Sequence, residues 1–346
     1  MSEGMGMPWR RFITIPGYLI AWLLWMVAAP IWLPLSVAVD AARRSNGVAL
    51  RSAALVTVYL SCEIMGIAVS GGLWMWRSIQ RIEPQRWTDL HFQLEAWWGT
   101  TLFRAVIRLF GLRVEVVGDA DLGRGPYLLL LRHSSTADTL IASALVTQPY
   151  GIRLRYILKR ENLWDPCLDI VGNRVPNVFV DRFSADPAGE IRRMQELARD
   201  LGSRDGVLIY PEGTRFSNAK RTRVLDSLEE SGDIGMLEYA RSLAFVLPPR
   251  PGGTLGLFDA APDADVVVCA HTGFEGTASL GDVWRGALVN QVIRIEFRRI
   301  PRSEIPTDRE AQVAWILEEW QRVDAWVAGH QKAIFSSKEP HPRSSP

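Results

Sequence analysis

Two long apolar runs dominate the first quarter of the chain. Gly17 to Val39 holds 23 residues without a charge, enough at 1.5 Å per helical residue to cross a hydrocarbon core of roughly 30 Å. Pro30 and Pro34 are expected to kink it. The run is longer than a signal-peptide core and DAARR follows it, so it is expected to stay in the mature protein. Ser52 to Trp76 is a second apolar run, broken by one acid, Glu63. Two readings of Glu63 stand: a carboxyl held by Ser61 or Tyr59, or a helix-packing or functional site of the kind intramembrane acids mark. Residues 1–82 are thus expected to form a membrane region with helices over 17–39 and 52–76, either crossing the bilayer or dipping into one leaflet.

Residues 83–111 read as one amphipathic helix, with Trp97, Trp98, Phe103, Ile107 and Phe110 set against Arg104 and Arg108. That pattern suits a helix lying in a membrane surface, and equally one packed on the following domain. From Leu112 the texture changes to short aliphatic runs separated by helical periodicity. Strands are expected at 113–117, 127–131, 154–158, 178–180, 207–210, 245–247, 266–269 and 292–297. Asp186-Pro187 opens a helix that Gly202 closes, and Thr307 with Glu310 reads as a capping box for a last helix. Strands alternating with helices predict an α/β fold with a largely parallel sheet and flanking helices over 112–335, preceded by the helical hairpin. Residues 336–346 read as a polar, disordered tail.

Composition narrows the function. Thirty-nine basic against 38 acidic residues give a formal charge of +1, which removes the electrostatic argument for nucleic acid. Three scattered cysteines offer neither a disulfide framework nor a zinc site and fit a reducing compartment. Mean hydropathy of +0.03 is slightly high for a purely soluble enzyme. Nine of the 14 tryptophans precede residue 99, several at the ends of the apolar runs, where indoles favour the headgroup level. Arginines flanking the runs outnumber those between them, which places both ends and the following domain on the cytoplasmic side.

Ligands of such sheets bind beyond the carboxyl ends of strands. The run Leu128 to Leu131 empties into Arg132, His133, Ser134, Ser135, Thr136, Ala137 and Asp138, so a carboxylate follows a strand-end imidazole by five residues. Asp138 folding back would fix the tautomer of His133 and raise its basicity. The run Val207 to Tyr210 breaks at Pro211, and Glu212, Gly213, Thr214, Arg215, Phe216 and Ser217 follow. Here a tight turn presents backbone N–H groups, a carboxylate and a guanidinium suited to phosphate. Val178, Phe179, Val180, Asp181 and Arg182 repeat the pattern, and Lys159 with Arg160 ends a further run.

His133 to Asp138 resembles the HxxxxD motif of the glycerolipid acyltransferases, and Pro211 to Arg215 matches their PEGTR motif. Order and spacing resemble the 1-acylglycerol-3-phosphate acyltransferase group over about Pro126 to Gly273. Arg132 stands where that family often has Asn, the segment before Arg182 lacks the usual glycine pair, and Leu247-Pro248-Pro249-Arg250 resembles a Leu-Pro-Arg variant found in acyltransferases of several lysophospholipids. The resemblance implies transfer of a fatty acyl group from a thioester, carried on coenzyme A or acyl carrier protein, to the free hydroxyl of lysophosphatidic acid. A lysophospholipid acyltransferase or transacylase with a larger headgroup, and a non-catalytic lipid-binding protein, are the alternatives. No cofactor or metal is expected. His133 is expected as general base and Asp138 as its orienter. Arg182 and Arg215 are expected on the acceptor phosphate, with Lys159, Phe179, Glu212, Gly213 and Thr214 as further substrate contacts. A bacterial cytoplasmic membrane is the expected location, with membrane lipids, the lysophospholipid and the acyl thioester as partners and the oligomeric state open. A chain starting near Glu83 is expected to keep the catalytic fold.

Overall fold

The computed structural model describes residues 8–118, 120–181, 186–275 and 280–336. Four N-terminal helices, α1 (Pro8–Val27), α2 (Ala29–Arg43), α3 (Val48–Ile79) and α4 (Pro84–Phe110), precede a mixed α/β region. There β1 (Arg113–Val117), β2 (Tyr127–Leu131), α5 (Gln148–Tyr150), β3 (Arg153–Lys159), α6 (Pro166–Gly172), β4 (Val178–Val180), α7 (Pro187–Ala198) and β5 (Asp205–Ile209) follow in turn. The chain continues through α8 (Asn218–Ser231), α9 (Ile234–Ser242), α10 (Pro251–Ala260), β6 (Asp265–Thr272), α11 (Leu280–Trp284), β7 (Val292–Ile300) and α12 (Arg309–Ser336).

One seven-stranded sheet runs β1-β7-β6-β2-β5-β3-β4, parallel throughout except for the β6–β7 pair. Central strands β2 and β5 are buried along their whole length, as expected of strands covered on both faces. Alternation sorts β2 between two cores. Tyr127, Leu129 and Leu131 join Phe103, Val106 and Phe110 of α4, while Leu128 and Leu130 join Leu255 and Phe258 of α10 and Ile316, Trp320 and Val323 of α12. The sheet is therefore the middle layer of three.

One expected strand is absent and one helix is capped differently. Residues 245–247 form no strand. The N–H groups of Ala244, Phe245 and Val246 bond the Asp324 carboxylate, and that of Leu247 bonds Glu212, so side chains take the place of a sheet partner. The last helix starts at Arg309 with Asp308, not Thr307, accepting the Ala311 N–H at 2.9 Å. Asp138 lies in a 3-10 turn, Ala137–Leu140, that opens the helical segment leading to α5.

The first apolar run is not one straight helix. It breaks at Ala28 into α1 and α2, which diverge by 68°. Pro30 sits in the first turn of α2, where its missing N–H is harmless, so the bend precedes both prolines. Among the described residues α3 is the one helix long and apolar enough to cross a membrane, with the bent α1–α2 pair as a second candidate by length and composition. Asp40 caps α3 by accepting the Ala49 and Leu50 N–H groups. The indoles of Trp22 and Trp25, inside the first apolar run, donate to Ser61 and Thr57 on α3.

α3 also lies along the α/β region. Its Arg51 bonds the Leu109 carbonyl, and Glu63 is fully buried, accepting the Trp98 indole N–H at 2.7 Å and the Cys167 N–H at 3.1 Å. Glu63 is thus a packing group between α3, α4 and α6, bonded to neither Ser61 nor Tyr59. Most of the broad apolar face of α4 points into the protein, with Phe92, Leu94, Phe103 and Phe110 buried, while Trp97 is exposed. Large exposed apolar side chains concentrate instead on α1 to α3, among them Phe12, Leu24, Val27, Ile31, Met75 and Ile79.

Candidate active site

β2 and β5 are parallel neighbours with Leu130 opposite Ile209, so the segments after them leave the sheet side by side. That register alone brings His133 and Glu212 together across 79 residues. The Glu212 carboxylate accepts the His133 N–H at 2.9 Å and the Leu247 N–H at 3.0 Å. The Phe216 N–H donates to the His133 carbonyl at 2.7 Å, and Arg215 donates to the Thr136 hydroxyl. Three links tie the two turns into one rim.

Within that rim His133 Nδ1 lies 3.0 Å from Asp138 Oδ1, both side chains almost wholly buried. The other Asp138 oxygen accepts the Ser134 and Ser135 N–H groups at 2.6 and 2.7 Å. Burial would push the Asp138 carboxyl up, but the neighbouring His133, His271 and the Ser135 N–H outweigh it and hold the group below the usual carboxylate range. A carboxylate at Oδ1 needs a donor, so Nδ1 of His133 carries the proton and Nε2 presents a lone pair. The imidazole also stacks on Tyr210, centroids 4.2 Å apart, which fixes the ring plane.

Two groups outside the motifs shape this centre. His271, at the end of β6, is fully buried; its Nε2 donates to the Arg132 carbonyl at 2.9 Å and lies 3.6 Å from Asp138 Oδ2. Burial pulls the pKa of His271 down, against the upward pull of Asp138, so the ring is neutral. Arg132 is likewise fully buried, donating to the His271 and Phe245 carbonyls and to Glu275. The chain's departure from Asn at this position is therefore a buried ionic strut. Sequence reading missed His271, although a His ending a buried strand run was the signal that had singled out His133.

The remaining expected site residues fall into three groups. Gly213 adopts φ +67°, which favours glycine, and a Cβ there would meet Arg250 at 3.4 Å. Thr214 and Arg215 are half-buried at the rim; Lys220 in the first turn of α8 donates to the Thr214 hydroxyl and the Arg215 carbonyl. Glu212 and Phe179, expected to contact substrate, do structural work. Both Glu212 oxygens are used by backbone N–H groups, and burial pushes its carboxyl up to about 8. Phe179 is buried with its ring against Gly172 of α6. Lys159 ends β3 opposite Val180, two strands from β2. Arg182 lies outside the described residues. Among the described residues no cluster of three His, Cys, Asp or Glu side chains is placed to ligate a metal.

Residues 113–271 match the Acyltransferase family model. The chain is similar to mouse 1-acyl-sn-glycerol-3-phosphate acyltransferase epsilon, 26% identical over 68% of this chain and 65% of the relative. It is also similar to the lysophosphatidylinositol acyltransferase 10 of Caenorhabditis elegans, 20% identical over 79% and 68%, and to mouse lysocardiolipin acyltransferase 1, 21% identical over 74% and 68%. The chain thus spans about two thirds of the length of each. The crystal structure of the 1-acyl-sn-glycerophosphate acyltransferase PlsC from Thermotoga maritima superposes with a TM-score of 0.53 at 14% identity, covering 84% of this chain and 97% of that one, which establishes the shared fold. The segment that matches the family model runs from β1 to His271 and contains both cross-linked turns.

Proposed function

We propose that this protein transfers a fatty acyl group from a thioester to the free hydroxyl of lysophosphatidic acid, forming phosphatidic acid. The observation that carries the reading is the His133–Asp138 pair at 3.0 Å, fixed beside the Pro211–Arg215 turn at the open end of β2 and β5. Nε2 of His133 takes the proton of the acceptor hydroxyl as its oxygen attacks the thioester carbonyl. The C–S bond then breaks, and the leaving thiolate recovers that proton from the imidazolium, which Asp138 stabilises meanwhile. A thiolate is a good leaving group, with a thiol pKa near 8.5, so deprotonating the alcohol is the demanding step and one held imidazole suffices. Coenzyme A or acyl carrier protein would carry the acyl group.

Placement favours Arg215 as the phosphate contact. It follows β5, the neighbour of β2, and donates to Thr136 within the His133–Asp138 segment, whereas Lys159 ends β3, two strands from β2. The apolar surfaces of α1 to α3 would hold the site at a membrane, where acceptor and product both reside.

A second reading, a lysophospholipid with a larger headgroup, is favoured by Arg250, whose side chain packs beside Gly213 at the mouth of the turn. A panel of lysophosphatidic acid, lysophosphatidylinositol, lysophosphatidylglycerol and lysophosphatidylcholine, offered with one acyl-coenzyme A in detergent, tests both. Preference for the phosphomonoester supports the first reading, preference for a phosphodiester the second, and no acylation of any overturns both.

A further inference from the structure

An open groove runs between α1, α3, α6 and the start of α4, far from the catalytic rim. Its two depressions, about 360 and 270 Å³, share Trp74 and Arg174. Arg77, at the end of α3, is 26 residues from Arg51, or about 39 Å along the helix. Arg51 bonds Leu109 just before β1, whose start lies at the carboxyl end of the central strands, so the groove occupies the opposite end of α3.

Charge in the groove is unbalanced. The guanidinium groups of Arg77 and Arg174 both sit over the Trp87 ring, 4.7 and 5.2 Å from its centre. Among the described residues neither makes an ion pair. Asp169, the carboxylate on adjoining α6, is already held by Arg10 and Arg11. Arg174 donates only to neutral groups, the Ser70 carbonyl and His91 Nε2, both at 3.0 Å. His91 is fully buried, and its Nδ1 donates to the Trp87 carbonyl, leaving Nε2 as an acceptor. The Ser70 hydroxyl, on the groove wall, is buried and has no partner among the described residues. The other wall is apolar, formed by Ile15, Ile67 and Trp74, and it continues into the exposed apolar surface of α1 and α3.

We propose that this groove binds one anionic phospholipid of the surrounding bilayer, its phosphate on Arg77 and Arg174 and one acyl chain along Ile15, Ile67 and Trp74. Two guanidiniums without a carboxylate favour an anion, and the apolar wall favours one that carries a chain. The site is independent of acyl transfer.

The test is native mass spectrometry of the full chain in a neutral detergent with equal phosphatidylglycerol and phosphatidylcholine. One retained phosphatidylglycerol is expected, with Arg77→Glu lowering that retention on the order of tenfold or more. Arg77 is exposed, so this variant should keep the wild-type melting temperature, and Arg104→Glu, an exposed charge reversal on α4, should retain the lipid. Equal loss in both variants, or no preference for phosphatidylglycerol, overturns the proposal in favour of a diffuse surface attraction. Displacement by millimolar inorganic phosphate overturns it in favour of a free-anion site. Displacement by short-chain lysophosphatidic acid overturns it by making the groove part of the acceptor path.

Discussion

Glu212 accepts the backbone N–H of His133 at 2.9 Å, so the second motif positions the backbone of the proposed base in the first. The same carboxylate holds Leu247 at 3.0 Å. An acid at the mouth of the site is therefore a brace, and its chemistry is read in stability and pH response more than in substrate contact.

Removing the base is the first expectation. His133→Ala should lower kcat by roughly 10² to 10⁴ with little change in melting temperature. Asp138→Asn should approach the same loss, because an amide can present the wrong group to Nδ1. Near-normal turnover in His133→Ala would falsify the general-base assignment.

Glu212→Gln separates bracing from catalysis. With its carboxyl raised from an ordinary 4.5 to about 8 by burial, the folded chain keeps a proton between those values that the unfolded chain has released. Folding stability from this group therefore falls as pH rises from about 4.5 to 8 and levels off above that. The glutamine variant should lose that slope, and should also lose about 1–3 kcal/mol because one backbone N–H meets an amide NH2. Chemical denaturation at pH 5, 7 and 9 reads both effects; an unchanged slope would locate the titration elsewhere.

Arg215→Ala should raise the acceptor KM and reduce kcat/KM by the equivalent of about 1.5–3 kcal/mol, the value of a hydrogen bond to a charged group. Arg215→Lys should recover only part, since an ammonium lacks the planar fork. Steady-state kinetics with each substrate varied in turn decides it: equal loss toward acceptor and acyl donor places this arginine outside acceptor recognition.

Arg132→Met should cost about 3–5 kcal/mol, because Glu275 loses its partner while two carbonyls lose a donor. Adding Glu275→Gln should restore part of the melting temperature. If the single variant melts like the wild type, the strut contributes nothing to stability.

Truncation before Glu83 should unfold more than the anchor, contrary to the expectation from sequence. It removes Arg10 and Arg11 from buried Asp169, and Glu63 from the Trp98 indole and the Cys167 N–H. The truncated chain should aggregate or melt well below the full chain in detergent, as scanning calorimetry and gel filtration would show. A monodisperse truncated chain with full activity toward short-chain lysolipid would mean that α3 contributes membrane contact alone.

The sequence by itself determined an α/β plan with a largely parallel sheet and flanking helices and located seven of eight expected strands, and it singled out His133 and Asp138 as a pair that the structure holds 3.0 Å apart. Local physics carries that information: runs such as Tyr127–Leu131 can only be buried strands, and proline after Tyr210 must end one. It also exposed both motifs at strand ends, where the class of fold places ligands. Tertiary structure alone decided which strands are neighbours, and therefore that Glu212, Tyr210 and His271 all converge on His133 and Asp138. It alone turned Arg132 into a buried strut, sent residues 245–247 to Asp324 and Glu212 in place of a sheet, and packed α3 against α4 and α6. Each of these depends on contacts between residues from 35 to 143 positions apart, and no local preference of the chain encodes which distant partner meets a given polar group.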